Sequence, residues 1–269
     1  MRCAVVSDIH ANFHALEAVL ADAGDVDQVW CLGDIVDGGP QPNECVDALR
    51  KCNAVCIFGN HEEWLLQDSG PIKEWTHWTY AQLSPLNLDF LRALRGQVTI
   101  GEFTLLHAPL AGLAPPVLGD LARFASRFCL NGHTHLPLVC RAAMPALGET
   151  SLQIRRTFPG ERIVLDAERA IVNVGSVGTS FVDPRRADYV LVEEPGEAGT
   201  VTLSFRSVPY PVESFIAKLH ECGLPPPLAL RREQGFSELS PVARRTLAAH
   251  QELYADLAPH GRDRDAHPI

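Results

Sequence analysis

The chain lacks any apolar run approaching the ~18 to 20 residues that a membrane-spanning helix needs. Its longest runs, such as Cys3-Ala4-Val5-Val6 and Ala54-Val55-Cys56-Ile57-Phe58, are the size of a strand, so no membrane span is expected. It has no C-x-x-C pair either. The eight cysteines (3, 31, 45, 52, 56, 129, 140, 222) are scattered, several of them inside apolar segments, where a thiol acts as a small hydrophobe; reduced, buried cysteines are the expectation. Cations are scarce, 23 Lys+Arg against 33 Asp+Glu for a net charge of −10. Nonspecific binding to nucleic acid, which draws on clustered cations, is therefore not expected. At the start of the chain Asp8 and His10 interrupt what a secretory signal would keep apolar, and a cytoplasmic location is expected. Internal repeats are absent, and the one low-complexity element is Pro225-Pro226-Pro227.

What is present is the composition of an ordinary globular protein, 269 residues of which 46% are hydrophobic. A chain of this length buries enough surface for one large core with an appendage, or two small domains, without metal or disulfide staples. A bound metal would then serve function rather than folding. The first hundred residues alternate strand and helix signals: Cys3–Val6, an amphipathic Phe13–Ala23 with Asn12 as N-cap and Gly24 as stop, Gln28–Leu32, Asn43–Lys51, Val55–Phe58 and a helix from about Glu62. This is a βαβ rhythm. Residues 71–95 read as helical, with Trp75, Trp78, Tyr80 and Leu83 as a stripe suited to a core or a site lid. From Val98 short strands follow: Val98–Ile100, Phe103–His107, Phe128–Leu130, Leu138–Cys140, Arg162–Leu165, Ala170–Val174, Tyr189–Val192 and Val201–Phe205. After Pro209 two helical patterns, Val212–Cys222 and Leu239–Leu257, flank the proline triplet, and a polar tail closes the chain. The spacing of Val212, Phe215, Ile216 and Leu219 is that of a packed helix face, against the core or a second subunit.

Four apolar strands end in residues that ligate metals. Val5-Val6-Ser7-Asp8-Ile9-His10 offers a carboxylate and an imidazole, and Trp30-Cys31-Leu32-Gly33-Asp34 a carboxylate. Ile57-Phe58-Gly59-Asn60-His61-Glu62 offers an amide, an imidazole and a carboxylate, and Leu105-Leu106-His107 an imidazole; Asn131-Gly132-His133-Thr134-His135 follows. Each alone has an ordinary explanation as a turn or a hydrogen-bonded surface histidine. Together they count for more, because the carboxyl ends of strands in an α/β sheet share the edge where ligands bind. A cluster of two Asp, four His and an Asn there would be poorly compensated without cations. Its mixed N/O set suits Mn, Fe or Zn better than Mg or Ca, and the absence of cysteine argues against a structural zinc site. Such cations would also reverse the local sign of an acidic chain, leaving small phosphates open as ligands.

In this order, D-x-H, G-D, G-N-H-E, a strand-end His and G-H-T-H resemble the calcineurin-like metallophosphoesterase superfamily, and among its members the short-core bacterial and archaeal phosphoesterases. The longer strings Ser7-Asp8-Ile9-His10-Ala11-Asn12, Gly33-Asp34-Ile35-Val36, Pro40-Gln41-Pro42-Asn43-Glu44-Cys45 and Asn173-Val174-Gly175-Ser176-Val177-Gly178 are similar too, so the likeness spans roughly 1 to 207. It implies an α/β fold, a β-sandwich flanked by helices, as the core over 1–208; the shift after Pro209 adds a helical C-terminal extension over 209–269. It implies two transition-metal ions, one held by Asp8, His10 and His135, the other by Asn60, His107 and His133, with Asp34 bridging. It implies His61 as general acid, and a small phosphate ester hydrolysed by a metal-activated hydroxide. The second catalytic residue expected is Glu62, the carboxylate next to His61; the family usually carries Asp there, one methylene shorter.

Three further departures stand out: Ala108-Pro109 after His107, Asn131 before Gly132-His133, and no aromatic within Asp37-Gly38-Gly39. Protein phosphatases of the superfamily carry an Arg in a G-D-x-x-D-R-G string, where this chain has Gly38. A monoester near neutral pH carries close to two charges and gains from a guanidinium, whereas a diester carries one and needs room. A phosphodiester substrate is expected, the alternatives being a phosphomonoesterase, a protein phosphatase or a non-catalytic scaffold. His14, His77, His220, His250, His260 and His267 match no motif and read as surface or packing residues. The pairs Arg155-Arg156, Arg185-Arg186, Arg231-Arg232 and Arg244-Arg245 read as solvated faces, with Arg185 or Arg186 as the candidate substrate contact. A homo-oligomer is open.

Overall fold

The computed structural model describes residues 1–69, 71, 73–108, 124–143, 151–166, 168–194, 200–227 and 230. The first stretch alternates β1 (Arg2–Val6), α1 (Phe13–Ala23), β2 (Gln28–Cys31), α2 (Pro42–Lys51), β3 (Val55–Cys56), α3 (Asn60–Gln67), α4 (Lys73–Gln82) and α5 (Pro85–Ala93). Strands then dominate: β4 (Gln97–Ile100), β5 (Phe103–Leu106), β6 (Phe128–Asn131), β7 (Leu138–Ala143), β8 (Ser151–Arg156), β9 (Arg162–Leu165), β10 (Ala170–Asn173), β11 (Arg186–Glu193) and β12 (Val201–Pro209), followed by α6 (Val212–Glu221).

The strands form two six-stranded sheets, ordered β3-β2-β1-β11-β12-β9 and β4-β5-β6-β10-β7-β8. In the first, β1, β2 and β3 are parallel, and β11 pairs antiparallel with the free side of β1. In the second, β5, β6 and β10 are parallel. Side-chain alternation assigns each face of the first sheet a partner. Cys3 and Val5 of β1, Trp30 of β2 and Val190 and Val192 of β11 meet Phe103, Leu105, Phe128, Leu130 and Val172 of the second sheet. The intervening Ala4, Val6, Val29, Cys31, Tyr189 and Leu191 meet the helices. Apolar residues on both faces explain why these strands read as continuous runs rather than alternating ones.

α1 starts where Asn12 accepts a hydrogen bond from Ala15 N at 3.1 Å and ends before Gly24, whose φ is 62°; both are ordinary boundary devices. The helical stretch expected over 71–95 divides into α4 and α5, because Ser84 caps Asn87 N and Pro85 cannot continue a preceding helix. Of its stripe, Trp75, Trp78 and Leu83 pack on the helix-side core while Tyr80 stays exposed. α6 buries Val212, Phe215 and Leu219 in that same core, so this helix docks on its own chain. The pattern expected over Leu239–Leu257 lies outside the described residues. β8 was not expected: its Arg155 and Arg156 interrupt any apolar run, and it is an edge strand, where charge is the usual protection against further pairing. Among the described residues no helix is long and apolar enough to cross a membrane.

Candidate metal centre

Five strand ends deliver the expected ligands: β1 leads to Asp8 and His10, β2 to Asp34, β3 to Asn60 in the first turn of α3, β5 to His107, and β6 to His133 and His135. To fold back over a strand end the backbone takes the left-handed conformation at Asp8 (φ 53°), His10 (49°), Asp34 (51°), His133 (70°) and His135 (57°), and also at Ala11 (51°) and Asp37 (66°). That conformation costs a non-glycine residue about 1–2 kcal/mol. Such a concentration persists only where the surroundings over-determine it, as functional sites do.

Those surroundings are a lattice of backbone hydrogen bonds. Asp8 N donates to Gly33 O (3.1 Å), His10 N to Asp34 O (2.9 Å) and Ala11 N to Ile35 O (2.9 Å). From far along the chain Val177 N donates to Ser7 O (3.0 Å), Gly178 N to Asp8 O (2.9 Å) and Ser176 Oγ to Asp8 O (2.9 Å). The packing leaves no room for side chains at two crossing points. A Cβ on Gly59 would collide with Asp34 Oδ1, and one on Gly132 with Ser7 Oγ and Asp8 Oδ2.

The ligand-type atoms fall into groups, each with its atoms within 4.8 Å of one another: Asp8, His10 and His135 in one, Asp34, His107 and His133 in another, and His10, Asp34 and His61 between them. Asp34 joins the halves, its Oδ2 lying 3.2 Å from His107 Nε2 and 3.9 Å from His10 Nε2. Asn60 Oδ1 is 3.1 Å from His107 Nε2. All seven expected ligands are thus brought together. The outer nitrogens decide what the inner ones can do. His10 Nδ1 lies 3.2 Å from Asp37 O, His107 Nδ1 2.7 Å from Leu32 O and His135 Nδ1 2.8 Å from Thr179 O. A carbonyl only accepts, so each Nδ1 donates and each Nε2 is the tautomer that ligates metals. His10 Nε2 and His135 Nε2 are 3.2 Å apart, a pair of nitrogens that a shared cation would reconcile.

The charges show the same need. Asp8 and Asp34 are fully buried, and although burial opposes ionisation, the neighbouring imidazoles hold both carboxyls well below the usual range. Burial also works against protonating His107, but the charge of Asp34 and a hydrogen bond to it lift this imidazole to about 10. His10 moves the other way, to about 3, through burial and then the charges of His61 and His135. With the chain's own groups alone, protons on some imidazoles compensate the acids, and divalent cations fit the position those protons occupy.

His61 sits beside this cluster with Nε2 3.9 Å from Asp34 Oδ2. Its Nδ1 is 3.0 Å from Asp37 Oδ2. Burial would lower its pKa, but Asp34 and Asp37 raise it to about 9. The expectation that Glu62 is the carboxylate on His61 is corrected here. Glu62 is fully buried, and both its oxygens are taken by backbone: Oε1 accepts from Ile35 N (2.8 Å) and Val36 N (3.0 Å), Oε2 from Asp34 N (2.8 Å) and Gly59 N (2.8 Å). The extra methylene carries the carboxyl past His61 to the loop bearing Asp34. Asp37 does the orienting instead, itself contacted by Thr76 Oγ1 (3.5 Å) and Thr79 Oγ1 (3.4 Å) of α4. The signal lay in Gly33-Asp34-Ile35-Val36-Asp37, whose final acid passes for a turn residue. Arg185 pairs with exposed Glu213 at 3.0 Å, and Arg186 bonds Ser207, which ties both guanidinia to the β12–α6 region.

With this geometry in view, comparison with known proteins is direct. The family model of calcineurin-like phosphoesterases matches residues 1–137, a span that holds every expected ligand from Asp8 to His135. The chain belongs to the calcineurin-like phosphoesterase family. An uncharacterized protein of Methanocaldococcus jannaschii, MJ0912, is 30% identical over 212 residues, covering 71% of this chain and 82% of that one. The crystal structure of a metallophosphoesterase from Sphaerobacter thermophilus superposes with a TM-score of 0.68 at 33% identity, covering 84% of this chain and 95% of that one. The chain is a metal-dependent phosphoester hydrolase with the fold of this family, two sheets and flanking helices.

Proposed function

We propose that Asp8, His10 and His135 hold one divalent ion and Asn60, His107 and His133 a second, with Asp34 between them, and that His61 is the general acid of phosphodiester hydrolysis. The observation that carries this reading is the convergence of the Nε2 atoms of His10, His107 and His135 on Asp8 and Asp34 while the Nδ1 of each is committed to a carbonyl. When bound, paired cations neutralise phosphoryl oxygens and acidify water. The chain's part is to hold the ligands without rearrangement and to supply a proton. Asp37 occupies His61 Nδ1, so the transferable proton is on Nε2, which faces the cluster. As a water oxygen bonds to phosphorus and the bond to the leaving oxygen breaks, that proton passes to the leaving oxygen and the alcohol departs neutral; the imidazole is then reprotonated from solvent.

The diester preference is supported by Gly38. Its φ is 92°, and a Cβ there would lie 3.4 Å from His10 Cβ. An arginine is strained at this position, so the loop supplies no cation beside His10. The experiment is elemental analysis with kinetics on His61→Ala and Asp34→Asn. We expect about two transition-metal ions per chain. Asp34→Asn loses both ions; His61→Ala keeps them and loses about 10² to 10⁴ in turnover, less with nitrophenyl leaving groups, which depart unprotonated. Loss of metal in His61→Ala, or a higher kcat/KM on nitrophenyl phosphate than on bis-nitrophenyl phosphate in the unmodified chain, would overturn the respective parts.

A further inference from the structure

Trp64 follows His61 by one helical turn on α3, and the two ring centroids are 4.7 Å apart. An indole normally buries in an apolar cluster with its N–H bonded. The other tryptophans do so at least in part: Trp30 lies in the sandwich core with Nε1 donating to Gln28 Oε1 at 2.7 Å, and Trp75 and Trp78 pack on the helix-side core. Trp64 joins none of the apolar clusters, and its indole N–H has no acceptor among the described residues. The ring on the opposite flank, Phe181, stacks on His135 at 5.1 Å and 22°, but it also packs against the Leu136 and Leu138 cluster, which accounts for it. Trp64 has no such account. What it touches is the proton donor.

In a displacement at phosphorus the leaving oxygen is the atom nearest the general acid. Whatever that oxygen carries therefore emerges beside His61, the ring that Trp64 contacts. Resting on the phosphoesterase reading above, we infer that Trp64 is a stacking platform for a planar ring carried by the leaving alcohol, so that the substrate class is a phosphate ester of an aromatic or heterocycle-bearing alcohol, nucleosides among them. The indole holds the ring against its face, which fixes the leaving oxygen near His61 Nε2.

The test is calorimetric titration of the full Mn-loaded chain with two phosphinates, methyl(2-phenylethyl)phosphinate and methyl(2-cyclohexylethyl)phosphinate. Each carries one negative charge and has no P–O–C bond to hydrolyse. Apolar burial alone favours the larger cyclohexyl group, whereas stacking favours phenyl, by about three- to tenfold in Kd. We expect the phenyl preference in the wild type, most of it in Trp64→Phe, and its loss in Trp64→Leu and Trp64→Ala. The leucine variant keeps helix propensity and apolar character without planarity, and so guards against a misfolded alanine variant. A phenyl preference that survives in Trp64→Leu, or its absence in the wild type, overturns the platform. Turnover of benzyl methyl phosphate by the same preparation is read separately: its absence counts against the phosphoesterase reading, while the phosphinate preference still reports on Trp64.

Discussion

Replacing Glu62 by glutamine keeps the side-chain length and removes one acceptor oxygen. Each carboxylate oxygen currently accepts two backbone N–H groups, from Ile35 and Val36 at one and from Asp34 and Gly59 at the other. The amide can serve one pair through its oxygen, but it turns an NH2 toward the other, leaving two buried donors unsatisfied. At about 1–3 kcal/mol per unsatisfied group the loss is about 2–6 kcal/mol. Part of it is returned, because burial and then the charge of Asp34 raise the pKa of Glu62, and a neutral side chain escapes both. A net loss of about 2–4 kcal/mol corresponds to a fall in melting temperature of roughly 5–15 °C for a protein of this size. The measurement is thermal unfolding with EDTA present, so that metal binding does not contribute to the apparent stability. If Glu62 oriented His61, the glutamine variant would melt normally and lose turnover only; that outcome would refute the reasoning.

Asp37→Asn should retain its metal content and lose about ten- to a hundredfold in kcat, as partners of site histidines typically do; loss of metal instead would make Asp37 part of the ligand set. Asp188 is buried, accepts from Ser180 Oγ, and its carboxyl is raised by burial to about 6 from 3.8. Because the folded pKa lies above the unfolded one, the group costs nothing below about pH 4 and destabilises increasingly up to about pH 6, by about 3 kcal/mol at pH 7. Asp188→Asn should therefore gain stability over the wild type as pH rises from 4 to 7 in EDTA; a difference independent of pH would refute it. Phe215→Ala opens a cavity under α6 and should cost about 3–5 kcal/mol with metal content unchanged, checked by calorimetry and elemental analysis; an unchanged melting temperature would separate α6 from the core.

The parts of the molecule that were legible from the residues alone are those where chemistry narrows the choice. Strands buried on both faces, such as Cys3–Val6, announce themselves because only apolar side chains survive there, and β8 did not because edge position admits Arg155 and Arg156. The candidate ligands were legible because few side chains bind cations. Glu62 and Asp37 were not, for a shared reason. Which carboxylate reaches His61 depends on the path of the loop from Asp34 to Asp37, and that path is set by backbone N–H groups, which every residue has alike. Trp64 was hidden because an aromatic on a helix reads as core until its neighbours are known.

The order of the first sheet has a consequence for synthesis. β1 is made first, yet the strand on its second side is β11, whose residues pair from Arg2 opposite Glu193. Ser7 likewise waits for Val177, and Asp8 for Ser176 and Gly178. At about 5–20 residues per second, a nascent chain spends on the order of ten seconds or more with β1 exposing an unpaired edge and the strand-end loops unsupported. During that interval the left-handed turn at Asp8 has its bond to Gly33 but not those from Ser176 and Gly178, so the proposed metal centre would be completed only after β11 is made. A fragment ending at residue 137 contains every proposed ligand in sequence and none of these late supports.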